Sequence, residues 1–271
     1  MAEPLPPDLI HALVSAEPRL AGFARLRYFP EVDSTNDIAL QLAAAGAPAG
    51  TSVLADVQRA GRGRRGRAWF SPPGAGLYLS VVVRLPDAAA TLPLLTLAVG
   101  VAVADAVSTT SGLPIELKWP NDLVIGRPWR KLGGLLCESS GTGAQVDAVV
   151  VGIGINLRQV AYPPEIAERA TSIETELGRP IERAALVVET LARVRDAVDR
   201  LRNGEGDWVC HEWRRLGRAG LGGASVTWSE QGVAHRGAAR DIDDRGALLV
   251  ETNGRVERLI AGEVTWERLR D

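Results

Sequence analysis

The run LPLLTLAVGVAVADAV at residues 92–107 constrains the fold more than any other feature, because it is long enough for a helix and has no polar face. A helix that is apolar all round has to be buried. Pro93 suits a first helical turn, and Ser108, Thr109, Thr110, Ser111 and Gly112 supply a stop. Broken by Pro93 and Asp105, the run falls short of the roughly 20 residues of a membrane span. The expectation is a core helix and no membrane contact.

Strand signals flank that helix. TSVLADV and the alternating LYLSVVVRL precede it, and IELKW, DLVI, LGGLLCES and AVVVGIGINL follow. This mixed order implies an α/β or α+β sheet with flanking helices and some strands buried on both faces. Residues 8–16 suit one short helix, and DSTNDIALQLAAAG suits a second, capped by Asp33 or Ser34 and ended by Gly46. Helical spacing returns from about residue 180 to 216, including ERAALVVETLARVRDAVDRL. After GRAGLGG come the short strands ASVTW, VAHRGAARDI, ALLVE, VERLI and AGEVTWERL, with Asp244-Arg245-Gly246 and Asn253-Gly254 as hairpin turns. A larger domain over residues 1–216 and a small C-terminal β-barrel over 217–271 are expected.

The 271 residues carry a formal net charge of -2, which argues against a general polyanion binder. Cys137 and Cys210 have no partners at metal-ligand spacing, so reduced thiols in the cytoplasm are expected. The N-terminus MAEPLPPDLIHALVSAEP lacks the basic start and apolar run of a signal peptide.

Against this near-neutral background stands QRAGRGRRGRAWFSPPG, residues 58–74. Gly61, Gly63 and Gly66 permit close backbone approach, and the arginines between them offer forked donors for carboxylate and phosphate oxygens. The composition fits a loop holding two anions at once, and equally a solvated basic loop or a nucleic-acid arm. The GxxxxGK(S/T) phosphate loop is absent. In KWPND, residues 118–122, the Pro120-Asn121-Asp122 turn is expected to set Lys118 and Lys131, the first residue of KLGGLLCE, on neighbouring strands of a hairpin. A covalent adenylate-accepting Lys131 would need a KxDG spacing that is not met. VVVGIGINL interrupts an apolar strand with Gly152 and Gly154, a sign of close approach by another backbone or a ligand, without the helix start of a dinucleotide fingerprint. Ser34-Thr35-Asn36 reads as a helix N-terminus, where polar ligand groups can also be held.

Taken in order, DSTN, Q..GRGRRGR.WFSPPG.GLYLS, KWPND, KLGGLLCE and VVVGIGINL resemble the biotin protein ligases. The likeness is dense over about residues 30–160, thin through CHEWRRL, and returns at DIDDRGALLVE and IAGEVTW. It implies an α+β catalytic domain of the class II synthetase-like biotin/lipoate ligase type. It also implies a two-step reaction. Biotin and MgATP give biotinyl-5′-adenylate and pyrophosphate, and a specific lysine of a carboxylase's biotin carboxyl carrier protein then attacks the mixed anhydride. By motif match, Ser34, Thr35, Asn36 and Gln58 look like ligands of biotin's bicyclic head, with Arg62, Gly63 and Arg64 covering its valerate tail and carboxylate and Gly61 counted among the binding residues of the same loop. Lys131 looks like the group holding the carboxylate oxygens and the α-phosphate, and with Arg64 and Arg67, a phosphate contact, it forms the implied catalytic set. Gly134, Gly152 and Gly154 would let the sheet lie against ligand; Trp69 and Asn156 resemble adenine-side contacts; Lys118, Asn121 and Asp122 resemble a polar turn, with Asp122 facing magnesium. Where Gly133 stands the family more often has Ala, a change that keeps room for ligand.

Some biotin ligases add an N-terminal DNA-binding domain. Here fewer than 30 residues precede the first strand-like segment, too few for a three-helix DNA reader, so a ligase without DNA binding is expected, as monomer or homodimer. A loop this rich in glycine is expected to be mobile over about residues 60–70 until ligand orders it, and the C-terminal barrel is expected to help shape the ATP and acceptor side. A lipoate ligase is the nearest alternative, with a related fold but a different loop. A nucleic-acid-binding module using the arginine loop is weakened by net charge and by the lack of clustered aromatics beyond Trp69 and Phe70.

Overall fold

The computed structural model describes residues 2–141, 146–230, 232–260 and 264–266, without the side chains of residues 89, 90 and 219. In chain order the elements are α1 (Pro7–Leu20), β1 (Leu26–Val32), α2 (Thr35–Ala44), β2 (Ser52–Gln58), β3 (Gly76–Val83), α3 (Ala88–Ser111), β4 (Glu116–Lys118), β5 (Asp122–Ile125), β6 (Arg130–Ser140), β7 (Ala148–Asn156), α4 (Pro164–Ala167), α5 (Ile173–Leu177), α6 (Arg183–Arg202), α7 (Gly206–Leu216), α8 (Arg218–Leu221), β8 (Ser225–Glu230), β9 (Val233–Ile242), β10 (Leu248–Thr252), β11 (Arg255–Leu259) and β12 (Val264–Trp266).

The first seven strands form one mixed sheet in the order β1-β2-β3-β7-β6-β5-β4. β1 and β2 run parallel, with α2 as their crossover, and the other neighbours pair antiparallel. Pro30 lies on the edge strand β1, the position where a missing amide donor is tolerated.

The period-two pattern of the central strands divides two apolar layers. Leu77, Leu79, Val81 and Val83 of β3, and Val149, Val151, Ile153 and Ile155 of β7, enter the main core beneath α3 and α6. On the other face, Val82, Ala148 and Val150 pack with Ala39 and Ala43 of α2. Because both faces are covered, every residue of β3 is buried. Each fully buried leucine there contributes about 1.5–3 kcal/mol.

α3 starts one turn before the expected 92–107 segment, so Pro93 lies inside the helix and its length alone would allow a membrane crossing. The length argument against a span therefore does not hold; burial takes its place. Leu95, Ala98, Val99, Val101 and Val103 are fully buried, and the helix packs against α6, α7 and the sheet. α1 is also longer than its expected 8–16, and packs Leu9, Leu13, Ala16 and Leu20 into the core, at the spacing of one helix face.

The C-terminal strands form a five-stranded antiparallel sheet in the order β11-β10-β9-β8-β12. Asn253 (φ 50°) and Gly254 (φ 72°) make the tight turn between β10 and β11. At the β9–β10 turn the Asp243 carboxylate accepts from the amides of Arg245 and Ala247. Of the expected strand AGEVTWERL, Val264–Trp266 is described; residues 261–263 and 267–269 lie outside the described residues. The two sheets meet at Trp119: its Nε1 donates to Gly246 O (3.0 Å), and Trp266 Nε1 donates to Trp119 O (3.1 Å).

Candidate active site

The site lies on the α2 face of the large sheet, opposite the main core. One row of paired residues crosses the sheet there: Lys118, Asp122, Gly134, Gly154 and Tyr78. Both glycines of the GIG motif are required by a close approach, but the approaching groups are the protein's own side chains. A Cβ at residue 154 would lie 2.6 Å from Trp69 Cε2, and one at residue 152 would run into the Asn36 amide. The Trp69 indole thus covers the glycine row, and its Nε1 is buried with no acceptor among the described residues.

The parallel β1–β2 pair brings the start of α2 beside the end of β2. Ser34, Thr35 and Asn36 are 3%, 3% and 4% exposed, an unusual degree of burial for three consecutive polar residues. Ser34 occupies the N-cap position without the side-chain cap expected of it. Gln58 Oε1 accepts from Thr35 N (2.9 Å) and Thr35 Oγ1 (3.0 Å), and Gln58 Nε2 donates to Ser71 Oγ (3.0 Å). Ser80 Oγ of β3 lies within hydrogen-bond distance of both Thr35 Oγ1 (2.7 Å) and Asn36 Oδ1 (2.5 Å). Asn36 Nδ2 donates to Glu138 Oε2 (2.6 Å). The result is a polar wall in which Thr35, Asn36 and Gln58 are each held by side chains from other segments of the chain.

The arginine loop is a small hairpin. Trp69 N donates to Gly61 O (2.8 Å), Gly63 N donates to Arg67 O (2.7 Å), and a single 3-10 turn, Arg64–Gly66, makes the tip, with Arg65 at φ 59°. Gly61 is needed where the strands converge: a Cβ there would sit 2.7 Å from both Ser71 Oγ and Trp69 O. The Arg62 guanidinium is engaged by Asp37 and Glu138, and its pKa is raised mainly by the hydrogen bond to Asp37. Arg64 turns inward, with Nη1 3.5 Å from Asn121 Oδ1; burial, aided by Arg65, lowers its pKa.

Beyond Trp69, two lysines and one carboxylate converge. Asp122 pairs with Lys131 Nζ (2.6 Å) and Lys118 Nζ (3.7 Å). The lysines are not on neighbouring strands, as the turn signal led us to expect; β5 runs between β4 and β6, and Asp122 at its start separates them. Burial lowers the Lys118 pKa, and nearby Lys131 lowers it further. Lys131 Nζ also stands 5.4 Å from the centroid of the Trp69 ring, a cation–π distance. The donor set does not suit a resident Mg²⁺: Asp122 is already shared by two ammonium groups, and no cluster of three metal-binding side chains occurs among the described residues.

Residues 28–156 match the Biotin/lipoate A/B protein ligase family, and residues 226–265 match the Biotin protein ligase C terminal domain. The biotin–acetyl-CoA-carboxylase ligase of Mycobacterium tuberculosis is 34% identical over 90% of this chain and 90% of its own length. The chain belongs to the biotin/lipoate A/B protein ligase family. The bifunctional ligase/repressor BirA of Bacillus subtilis is 33% identical over 88% of this chain and 73% of its own. A solved biotin protein ligase from Aquifex aeolicus, in complex with biotin and ATP, superposes with a TM-score of 0.78 at 29% identity, covering 90% of this chain and 99% of that one.

Within this ligase fold, the residues singled out from sequence lie along one face of the large sheet and on the loop packed against it, with three differences of detail. The Arg62 side chain faces protein carboxylates, and Asn156 Nδ2 donates to Thr171 O (2.9 Å), tying the segment after β7 back toward Lys131. Arg67 is exposed at the base of the loop tip. Asp37, Ser71, Ser80 and Glu138 were not singled out. Ser80 carried a usable signal, a lone hydroxyl in an apolar strand, and Glu138 continues the ligand-face alternation Gly134, Leu136.

Proposed function

We propose that this protein is an ATP-dependent biotin ligase that activates biotin as biotinyl-5′-AMP and passes it to a specific lysine of a carboxylase's biotin carboxyl carrier protein. The observation that carries this reading is the cationic convergence of Arg64, Lys118 and Lys131 beside the polar wall of Ser34, Thr35, Asn36 and Gln58. Biotin's carboxylate must approach the α-phosphate of ATP, and two like charges about 4 Å apart repel by about 4 kcal/mol at an effective dielectric of 20. Fixed guanidinium and ammonium groups offset that repulsion and the charge that develops in the transition state. Asp122 orients Lys131 beforehand; on substrate binding the ammonium would exchange this partner for the substrate oxygens. Trp69 would form the nucleotide side of the site, and Ser34, Thr35, Asn36 and Gln58 would take the ureido head. Magnesium would arrive with the ATP phosphates, as part of the substrate.

Closure of the Gly61–Trp69 hairpin over the adenylate would keep water from a hydrolysable anhydride. In an unliganded crystal we expect the tip of this loop to be the most mobile part of the site. Two unpaired cysteines suit a reducing, cytoplasmic compartment for this reaction. The test is exchange of labelled pyrophosphate into ATP, with biotin and then with lipoate. Biotin-dependent exchange is expected; exchange supported by lipoate alone, or by neither, would sink the reading.

A further inference from the structure

The fork of Arg62 is occupied before any ligand arrives. Its Nη1 donates to Asp37 Oδ2 (2.8 Å), its Nη2 pairs with Asp37 Oδ1 (2.7 Å), and the same Nη2 lies 3.1 Å and 3.3 Å from the two Glu138 oxygens. Asp37 stands in the first turn of α2, Glu138 on β6 and Arg62 on the loop, so three separate elements are joined by one side chain. Glu138 Oε2 also accepts from Asn36, and from there hydrogen bonds run through Ser80, Thr35, Gln58 and Ser71 to Trp69 O. The network returns to the base of the loop from which Arg62 projects.

We propose that Arg62 is a latch that holds the arginine loop against the protein, with Asp37 and Glu138 as positioning residues, and that Glu138 couples the latch to the pocket wall through Asn36. All three side chains are partly exposed, and ion pairs so exposed are individually weak, so a latch made of two of them opens and recloses readily. Opening frees Glu138 from Arg62 and loosens its hold on Asn36; a group seated against Asn36 and Gln58 fixes Glu138 and favours closure. Arg62 therefore acts on biotin through the pocket wall and not by pairing with its carboxylate. The coupling to biotin rests on the ligase reading, whereas the latch itself does not.

The loop's own arginines provide the assay, because trypsin can cut only when the hairpin opens. The full-length protein is compared with Asp37→Asn, Glu138→Gln, the double variant, and Arg62→Lys, which keeps the charge but loses the fork. Without ligand, cleavage within residues 62–67 should be about tenfold faster in the double variant, at an unchanged midpoint of thermal unfolding. Biotin dissociation, followed by stopped-flow fluorescence, should accelerate by about tenfold in Glu138→Gln, with association within about threefold of the wild type. Equal cleavage rates in all five proteins would overturn the latch. Faster cleavage with unchanged biotin dissociation would overturn the coupling through Glu138. If the wild-type protein shows no saturable biotin binding, the ligase reading fails while the cleavage comparison still decides the latch.

Discussion

Replacing Gly154 by alanine tests the arrangement of the site with a single methyl group. The added Cβ would lie 2.6 Å from Trp69 Cε2, 2.7 Å from Nε1 and 2.9 Å from Cζ2. Ordinary carbon contacts begin near about 3.5 Å, so the indole must retreat by about 1 Å. Its main chain cannot follow freely, since Trp69 N is bonded to Gly61 O and Trp69 O accepts from Ser71 Oγ. The ring therefore tilts outward, away from Lys131 and the glycine row. No hydrogen bond is lost, because Nε1 has no acceptor among the described residues; the cost is one of packing. Overpacking of this kind costs about 1–3 kcal/mol, which corresponds to about 5- to 150-fold in an apparent constant. With Trp69 on the nucleotide side, the loss should appear in KM for ATP in the biotin-dependent exchange assay, with biotin affinity changed far less. Gly152→Ala should give the reverse pattern, since its methyl group meets Asn36. An unaltered KM for ATP in Gly154→Ala, together with unaltered tryptophan emission, would refute the reasoning.

Lys131→Ala and Arg64→Ala should each slow adenylate formation by at least about tenfold, or about 1.4 kcal/mol of transition-state stabilisation, in single-turnover measurements; normal rates in both would remove their assigned roles. Trp119→Phe leaves the Gly246 carbonyl without its donor and should destabilise the fold by about 1–3 kcal/mol in urea titration, and removing the residues after about 220 should impair turnover; a fully active truncation would contradict the docking described at Trp119. Burial pushes the Cys137 thiol up to about 11, so at pH 8 its alkylation by iodoacetamide should be about a hundredfold slower than that of an ordinary cysteine; mass spectrometry showing rapid labelling of the native protein would contradict this.

The central strands of the large sheet were legible as short apolar runs rich in β-branched residues, as in LYLSVVV and AVVVGIGIN, because a strand covered on both faces has little need of polar positions. The start of α3 was missed because the alanines at 88–90 carry no periodic signal and Pro93 looked like a beginning; the usable cue was Asp87, a residue type suited to an N-cap, directly before Ala88. Lys118 and Lys131 were misplaced because a turn signal reports a reversal, not the number of strands that follow; the four residues of β5 sufficed to separate them. The glycine pair at 152 and 154 correctly announced a close approach, but nothing local says that Asn36 and Trp69 are what approaches. The partners of Arg62 were invisible for the same reason: Asp37 lies 25 positions away and Glu138 76, distances across which only the folded sheet makes neighbours.

The parallel pairing of β1 with β2 sets Val32 opposite Gln58, which makes the binding wall and the arginine loop leave the sheet side by side from the same end. The far end of that unit, the 45–51 connection from α2 into β2, carries none of the residues assigned to chemistry. The enzyme is therefore modular in one direction: a peptide tag or whole reporter grafted near Gly46 should be silent, whereas deleting one residue within β2 would turn Gln58 to the wrong side of the sheet and dismantle the wall.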